Sequence, residues 1–163
     1  MQQIHNIPPV YDGRSRVLIL GSFPSVKSRE TEFFYGHPQN RFWKVIAALC
    51  GAPVPETVEQ KKELLLLNGI ALWDVIAVCS VDGSADSSIK NAVPNDISSL
   101  LNETNIKHIF LNGKTAEKYY NKYMKSAVGI PALCLPSTSA ANASKNLDAL
   151  IEDWSVIKKF IQR

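Results

Sequence analysis

The amino-acid sequence predicts an α/β fold, a three-layer α/β/α sandwich around a central four-stranded parallel sheet. Four short runs are apolar at nearly every position, which is typical of parallel strands that are covered on both faces. Helical patterns separate these runs, and the alternation of strand and helix favours a parallel sheet between two helical layers. The strands are predicted over residues 17–20, 70–73, 108–111 and 132–135.

Five segments between and after these strands carry apolar residues at the spacing of a helix that packs one face on a sheet. The segment from residue 78 to residue 94 is polar and rich in Ser and Asp, so we predict a long loop there. At 163 residues, the chain is expected to form a single domain over residues 1–163. The helices are predicted over residues 40–49, 58–67, 96–101, 115–124 and 145–161.

The composition bounds the class of protein. The chain is 45% hydrophobic and 20% charged, so it can build an ordinary core. Its net charge of +3 permits an anionic partner without requiring one. No apolar run reaches the roughly 18 residues that cross a bilayer, and the first residues lack a signal pattern. The three cysteines are far apart, which is typical of free thiols, so we expect a cytoplasmic protein with no membrane partner.

Polar groups follow each predicted strand, and these groups predict the position of a site. In an open parallel sheet, ligands bind at the carboxyl ends of the strands. Those ends carry residues 21–25, Asp74, residues 112–114 and residues 136–139. We expect these four groups to converge, with residues 35–40 closing over them.

Two of these groups are loops that could contact a nucleotide. Residues 21–25, Gly-Ser-Phe-Pro-Ser, form a tight turn whose N–H groups could face a base or a phosphate, or which could be a plain turn. Residues 136–142, Pro-Ser-Thr-Ser-Ala-Ala-Asn, form the loop that we call loop 136–142. Its hydroxyl and N–H groups suit phosphate oxygens, although a helix cap would explain them as well.

The segment 33–43 is rich in aromatic residues. Tyr35 offers a face on which a base could stack, a contact worth about 1–3 kcal/mol, whereas Phe42 and Trp43 fit the core. His37 is a general acid–base by residue type, but it could equally only shape the loop before Pro38. His5 and His108 are weaker candidates. No cluster has the spacing of metal ligands, so we expect neither metal nor cofactor.

Together these motifs resemble the uracil-DNA glycosylase superfamily over about residues 17–154. Residues 21–25 stand at its first motif, residues 136–139 stand at its second, and residues 69–74 resemble the strand that ends in a base-reading residue. The run His-Pro-Gln-Asn-Arg-Phe-Trp over residues 37–43 is similar to a segment of the mismatch-specific uracil glycosylases.

Three departures indicate one branch of that superfamily. Phe23 stands where most members have an acid or amide that positions the attacking water, and Leu135 stands where many have His or Asn. Asp74 occupies the position of the uracil-reading amide. With these departures the chain is similar to the hypoxanthine-DNA glycosylases, also called deoxyinosine glycosylases. The resemblance implies that the catalytic amide is at the position of Asn40.

The resemblance implies an enzyme that flips a deaminated base, hypoxanthine above all, out of double- or single-stranded DNA. It would hydrolyse the N-glycosidic bond and leave an abasic site. We expect it to act as a monomer. The implied base-binding residues are Ser22, Phe23, Tyr35, Asp74 and Asn112, and the implied DNA-binding residues are Ser25, Lys114, Ser137, Thr138, Ser139 and Asn142.

Several alternatives remain open from the residues. Asp74 could accept the ring N–H of hypoxanthine or could cap the segment that follows it, and Asn112 is a second strand-end candidate for base recognition. At the level of function, the alternatives are a mismatch-specific uracil or thymine glycosylase and a binding module that recognises damaged DNA without cleaving it.

Overall fold

The computed structural model describes residues 2–80 and 89–161. The strands among these residues are β1 (Gln2–Ile4), β2 (Val17–Gly21), β3 (Ile70–Asp74), β4 (Ile76–Ser80), β5 (Lys90–Pro94), β6 (His108–Asn112) and β7 (Ala132–Leu135). The helices are α1 (Val26–Thr31), α2 (Phe42–Cys50), α3 (Val58–Leu67), α4 (Ile97–Asn102), α5 (Lys114–Tyr123), α6 (Lys125–Val128), α7 (Leu147–Trp154) and α8 (Lys158–Ile161).

The predicted four-stranded parallel sheet is confirmed, with strand order β3-β2-β6-β7. Val17 of β2 pairs with Ile70 of β3 on one side and with His108 of β6 on the other. Every residue of β2 is buried, because helices cover both faces of the sheet. All four strands therefore end at one edge, and the groups that follow them lie side by side.

The core is divided between the two faces of the sheet, as strand geometry requires. Side chains alternate along β2, so Val17 and Ile19 contact one cluster while Leu18 and Leu20 contact the other. The first cluster contains the apolar faces of α2, α3 and α7, and the second contains those of α4 and α5. The packing of helices on both faces thus fixes the position of the edge at which the parallel strands end.

The loop predicted over residues 78–94 is wrong where the structure describes it. Residues 76–80 and 90–94 form β4 and β5. β4 pairs antiparallel with β1 on one side and with β5 on the other, in a second sheet of order β1-β4-β5. A small antiparallel sheet exposes one face, so its strands tolerate the polar composition that suggested a loop. Residues 81–88 of the predicted loop lie outside the described residues.

The single helix predicted over residues 145–161 is also different in the structure. It begins at Leu147, where the Asn146 side chain accepts the N–H of Ala149. After Trp154 the chain tightens into the 3-10 turn Ser155–Ile157 before α8. The hydroxyl of Ser155 donates to the carbonyl of Glu152, a side-chain bond to the backbone that competes with regular helix.

The three cysteines are free thiols, as expected. Burial raises the pKa of the Cys50 thiol to about 11, so this thiol stays protonated and unreactive near neutral pH. Burial also raises the pKa of Cys79 and of Cys134. Among residues 2–80 and 89–161, no helix has the length and apolar character needed to cross a membrane.

Candidate active site

A cleft of about 520 Å³ opens at the carboxyl ends of the parallel strands. This volume is in the range of small-ligand sites. The four strand-end groups and the loop of residues 35–40 all contribute to its lining. The predicted site residues that line it are Ser22, Phe23, Ser25, Tyr35, Asn40, Asp74, Asn112, Ser137, Thr138 and Ser139.

Lys114 and Asn142 lie beside the cleft and do not line it. Lys114 is exposed at the first position of α5, directly after Gly113. Gly113 has φ +96°, and a Cβ there would lie 3.1 Å from the Cβ of Ser137. Glycine therefore lets the start of α5 approach loop 136–142 closely.

Asn112, at the end of β6, is oriented by the backbone. Its Oδ1 accepts the N–H of Thr138 at 3.1 Å, and a backbone N–H can only donate. The amide nitrogen is thereby directed to the Tyr35 hydroxyl and to Thr138 Oγ1, both at 3.1 Å. Both amide hydrogens of Asn112 are thus bonded within the protein, and its side chain holds Tyr35 and Thr138 in place.

Asn40 is also oriented by hydrogen bonds that its side-chain oxygen accepts. Its Oδ1 accepts the N–H of Phe42, at the start of α2, at 2.9 Å. The Thr138 hydroxyl accepts from Asn112, so its own proton is donated to Asn40 Oδ1, also at 2.9 Å. We call Asn112, Thr138 and Asn40 the amide network. It leaves Nδ2 of Asn40 with no acceptor within residues 2–80 and 89–161, so this residue offers the cleft a donor.

Asp74, the last residue of β3, is 4% exposed and is paired with His5. His5 Nε2 lies 2.8 Å from Asp74 Oδ2. His5 Nδ1 accepts the N–H of Ile7 at 3.2 Å, so the tautomer that fits carries its proton on Nε2 and donates it to the carboxylate. The side chain of Asp74 therefore bonds to the N-terminal segment. The N–H groups of Val75 and Ile76 donate instead to the carbonyls of Gly21 and Ser22, so within residues 2–80 and 89–161 nothing supports the capping alternative.

The second oxygen of Asp74 lies over Gly21. A Cβ at Gly21 would collide with Asp74 Oδ1 and would lie 2.9 Å from the Tyr35 hydroxyl oxygen. Only glycine leaves room for these two polar atoms beside the turn of residues 21–25. The first motif thus determines how closely the carboxylate and the tyrosine approach the backbone.

Tyr35 and Ser25 line the cleft and also pack or bond against the elements that surround it. The Tyr35 ring stacks on Phe42 with a centroid distance of 4.1 Å and an interplanar angle of 17°. Ser25 caps α1 by accepting the N–H of Ser28, and its hydroxyl bonds to Ser28 Oγ. Ser28 Oγ in turn accepts the N–H of Gly36 at 2.9 Å, which ties α1 to the loop of residues 35–40.

The serines of loop 136–142 accept backbone N–H groups and keep their own protons. Ser137 Oγ accepts from Ser139, and Ser139 Oγ accepts from Ala141, both at 3.1 Å. Each hydroxyl can therefore still donate to an external anion. Asn142 instead donates to the Ser137 carbonyl and accepts from Ser144, so its side chain stabilises the conformation of the loop.

Arg41 fastens loop 136–142 to the start of α2, a role that the sequence analysis missed. Its guanidinium donates to the carbonyls of Ser139 at 2.8 Å and Asn142 at 3.1 Å, and also to that of Lys145. These partners lie about a hundred residues away along the chain, so no local sequence pattern predicts the bonds.

His5, which the sequence analysis ranked as a weak candidate, lies behind the site. Its side chain is 2% exposed, and its ring contacts Phe23 and Trp73 edge-on. It contacts Asp74, which lines the cleft, because β1 pairs with β4, a pairing of three residues that composition does not reveal. His37, by contrast, lies exposed at the cleft, where its Nδ1 accepts the N–H of Gln39.

The chain matches proteins of one family throughout its length. The family model of the uracil DNA glycosylase superfamily matches residues 8–158. A protein of Methanosarcina acetivorans named hypoxanthine DNA glycosylase is 34% identical over 92% of this chain and 94% of its own. A protein of the same name from Methanosarcina barkeri is 35% identical over 91% and 93%.

A solved structure is similar to the whole chain. It is a solution NMR structure of a protein from Methanosarcina acetivorans that is described as a candidate uracil DNA glycosylase. It superposes with a TM-score of 0.83 at 32% identity and covers 98% of each chain.

Proposed function

The chain belongs to the uracil DNA glycosylase superfamily, and on this basis we propose that it excises a deaminated base from DNA, with hypoxanthine as its principal substrate. The names of the two Methanosarcina relatives support this substrate. One observation carries the proposal: the cleft places the amide donor of Asn40 and the carboxylate acceptor of Asp74 beside a loop with free hydroxyl protons. We also infer that the enzyme works as a monomer in the cytoplasm.

Base recognition follows from the acceptor on Asp74. Hypoxanthine carries a proton on N1 beside its carbonyl, whereas adenine has a lone pair on N1. Asp74 Oδ1 would accept the N1–H of hypoxanthine and would face the lone pair of adenine. A buried polar group left without a partner costs about 1–3 kcal/mol, and more when it is charged. The enzyme would therefore reject adenine, from which hypoxanthine forms by deamination.

The nucleotide must leave the duplex before it can enter the cleft. Flipping costs a few kcal/mol and is easier for a mispaired base. Tyr35 would stack on the flipped ring, and the N–H groups of the turn at residues 22–23 would stabilise negative charge on the departing base. Ser137 and Ser139 would donate to phosphates, with Lys114 adding positive charge and Ser25 lying at the same rim.

Bond cleavage would be dissociative, with positive charge on the sugar and electrons passing to the base. Asn40 cannot act as a general base, because an amide does not titrate near neutral pH. Its free Nδ2 can hold the attacking water by donating to the water oxygen. The N-glycosidic bond breaks, the water oxygen bonds to the sugar carbon, and the proton that the water loses passes to the departing base anion, which leaves as a neutral base. Phe23 stands where most members of the superfamily have an acid or amide that positions the water. The loss of an activating carboxylate lowers rates by about 10²–10⁴-fold, so we expect a slow enzyme that depends on a good leaving group.

The test is a panel of duplexes that contain hypoxanthine, uracil, xanthine or a thymine mismatch. Excess enzyme is incubated with each duplex, abasic sites are cleaved with alkali, and the released base is identified by mass. We expect the fastest release from the hypoxanthine duplex. Faster release of uracil or thymine would favour the mismatch-specific alternative, and binding without release would favour the non-catalytic one.

The matched variant is Asn40→Ala. It removes the Nδ2 donor from the cleft, so the single-turnover excision rate should fall by about 10²–10³-fold. It also removes the acceptor for the Phe42 N–H, so the free energy of unfolding should fall by about 1 kcal/mol. Asn40→Asp keeps that acceptor and controls for the stability change. Full excision activity in Asn40→Ala would refute the assignment.

A further inference from the structure

We propose that His5 is a positioning residue that holds Asp74 as an acceptor for a lactam N–H, and that the pair thereby selects bases with a ring N–H beside a carbonyl. This inference rests on the proposed glycosylase function and specifies its substrate class. Hypoxanthine, xanthine and uracil belong to this class. Adenine and N1-methylated hypoxanthine do not.

The burial of the pair is the first argument. The side chains of His5 and Asp74 are 2% and 5% exposed. Burying polar groups costs free energy even when they bond to each other, and replacing both partners with apolar groups of the same shape is often nearly neutral or stabilising. Stability alone therefore does not explain a histidine and a carboxylate at the floor of a cleft.

The rigidity of His5 is the second argument. Its backbone N–H donates to the carbonyl of Ala77 at 2.7 Å, and its Nδ1 accepts the N–H of Ile7 at 3.2 Å. The ring is thus held by one bond to the backbone at Nδ1, and its Nε2–H donates to Asp74. The histidine therefore presents a donor of fixed position and polarity.

The consequence for Asp74 is the third argument. Oδ2 is occupied by His5, and Oδ1 lies at Gly21 in the lining of the cleft. A carboxylate in this position can only accept, because it has no proton of its own. A base is then bound when its ring nitrogen brings a proton and is repelled when it brings a lone pair.

The same geometry predicts an unusual result for Asp74→Asn. In that variant the Nε2–H of His5 would bond to the amide oxygen, so the amide NH₂ would face the cleft. The N1–H of hypoxanthine would then meet a donor, and its excision should fall by about 10- to 100-fold.

Replacing His5 as well should reverse part of that loss. In the double variant His5→Leu, Asp74→Asn, nothing dictates the amide orientation, so the amide can turn its oxygen towards N1–H. We expect this double variant to excise hypoxanthine about tenfold faster than Asp74→Asn alone. His5→Leu alone should weaken the preference for hypoxanthine over adenine, and His5→Gln, which keeps a donor, should restore it.

The experiment measures single-turnover excision of hypoxanthine, N1-methylhypoxanthine and adenine from duplexes by these variants and the unchanged protein. His108→Leu and Asp96→Asn are the matched controls. His108 stacks on Phe160 at the opposite end of β6, and Asp96 caps α4. Circular dichroism and thermal melting report whether each variant folds.

The arm with the unchanged protein does not depend on the folding of any variant. We expect N1-methylhypoxanthine to be excised at least tenfold more slowly than hypoxanthine. Equal rates would overturn the inference, and so would an Asp74→Asn variant that is no faster after His5→Leu is added. If the unchanged protein releases no hypoxanthine at all, the proposed function itself fails. Release of hypoxanthine with tolerance of the methyl group would refute only the inference.

Discussion

At the scale of single residues, the polarity of the site is set by backbone N–H groups. The N–H of Thr138 orients Asn112, and the N–H of Phe42 orients Asn40. Since a backbone N–H cannot accept, the direction of each bond in the amide network follows. The sequence predicted Asn40 and Asn112 as site residues, but it could not predict that Thr138 connects them, because that bond depends on the position of a loop.

Thr138→Val tests the amide network. The variant preserves shape but removes the hydroxyl that accepts from Asn112 and donates to Asn40. The lost bonds should lower the free energy of unfolding by about 1–3 kcal/mol in urea melts. The single-turnover excision rate should fall by about tenfold or more, because Asn40 is held less firmly. Thr138→Ser keeps the hydroxyl and should retain most activity; an equally impaired serine variant would contradict this role.

At the scale of elements, prediction succeeded where burial dictates sequence and failed where it does not. Three of the parallel strands, β2, β3 and β6, are almost wholly buried, and the edge strand β7 is apolar although partly exposed, so the apolar runs identified all four to within a residue. β5 is half-exposed and polar, β1 has only three residues, and the apolar strand β4 begins a single residue after β3 ends, so neither composition nor length indicated them as separate strands. The pairing of His5 with Asp74 was not predicted, since the two residues lie 69 positions apart.

Arg41→Lys tests the connection between α2 and loop 136–142. A lysine keeps the positive charge but cannot reproduce the forked bonds to several carbonyls. The loop should become less ordered, and the Kd for an undamaged duplex should rise by about tenfold, measured by fluorescence anisotropy. The ratio of the hypoxanthine to the uracil excision rate should not change, because the proposed base-binding residues are intact. Arg14→Lys, on an exposed arginine, is the control, and an equal effect there would refute the assignment.

At the scale of the whole molecule, the family and the fold are confirmed. Both could be predicted from the sequence because the motifs lie at the ends of strands. The position of the site could be predicted without knowing the order of the strands, since the carboxyl ends of all strands in a parallel sheet lie at one edge. The convergence of residues 21–25, Asp74, Asn112 and loop 136–142 follows from that geometry. What the sequence could not predict is how the second sheet brings the N-terminal segment to that edge.

Lys114→Gln tests the DNA-binding face of the molecule. A lysine that contacts a phosphate contributes about one unit to the slope of log Kd against log salt concentration. We expect the variant to bind every duplex more weakly, with a slope lower by about one and an unchanged base preference. Lys159→Gln, an exposed lysine on α8, should alter neither quantity. A changed base preference in Lys114→Gln would place this lysine in base recognition instead.

The pairing of β1 with β4 has a practical consequence. The histidine that we assign to base choice is carried by a short segment that contributes no strand to the parallel sheet. An affinity tag fused ahead of this segment, or a truncation that removes it, could alter which lesions are repaired while every catalytic loop stays intact. Assays of lesion preference are therefore best made with a tag at the opposite terminus.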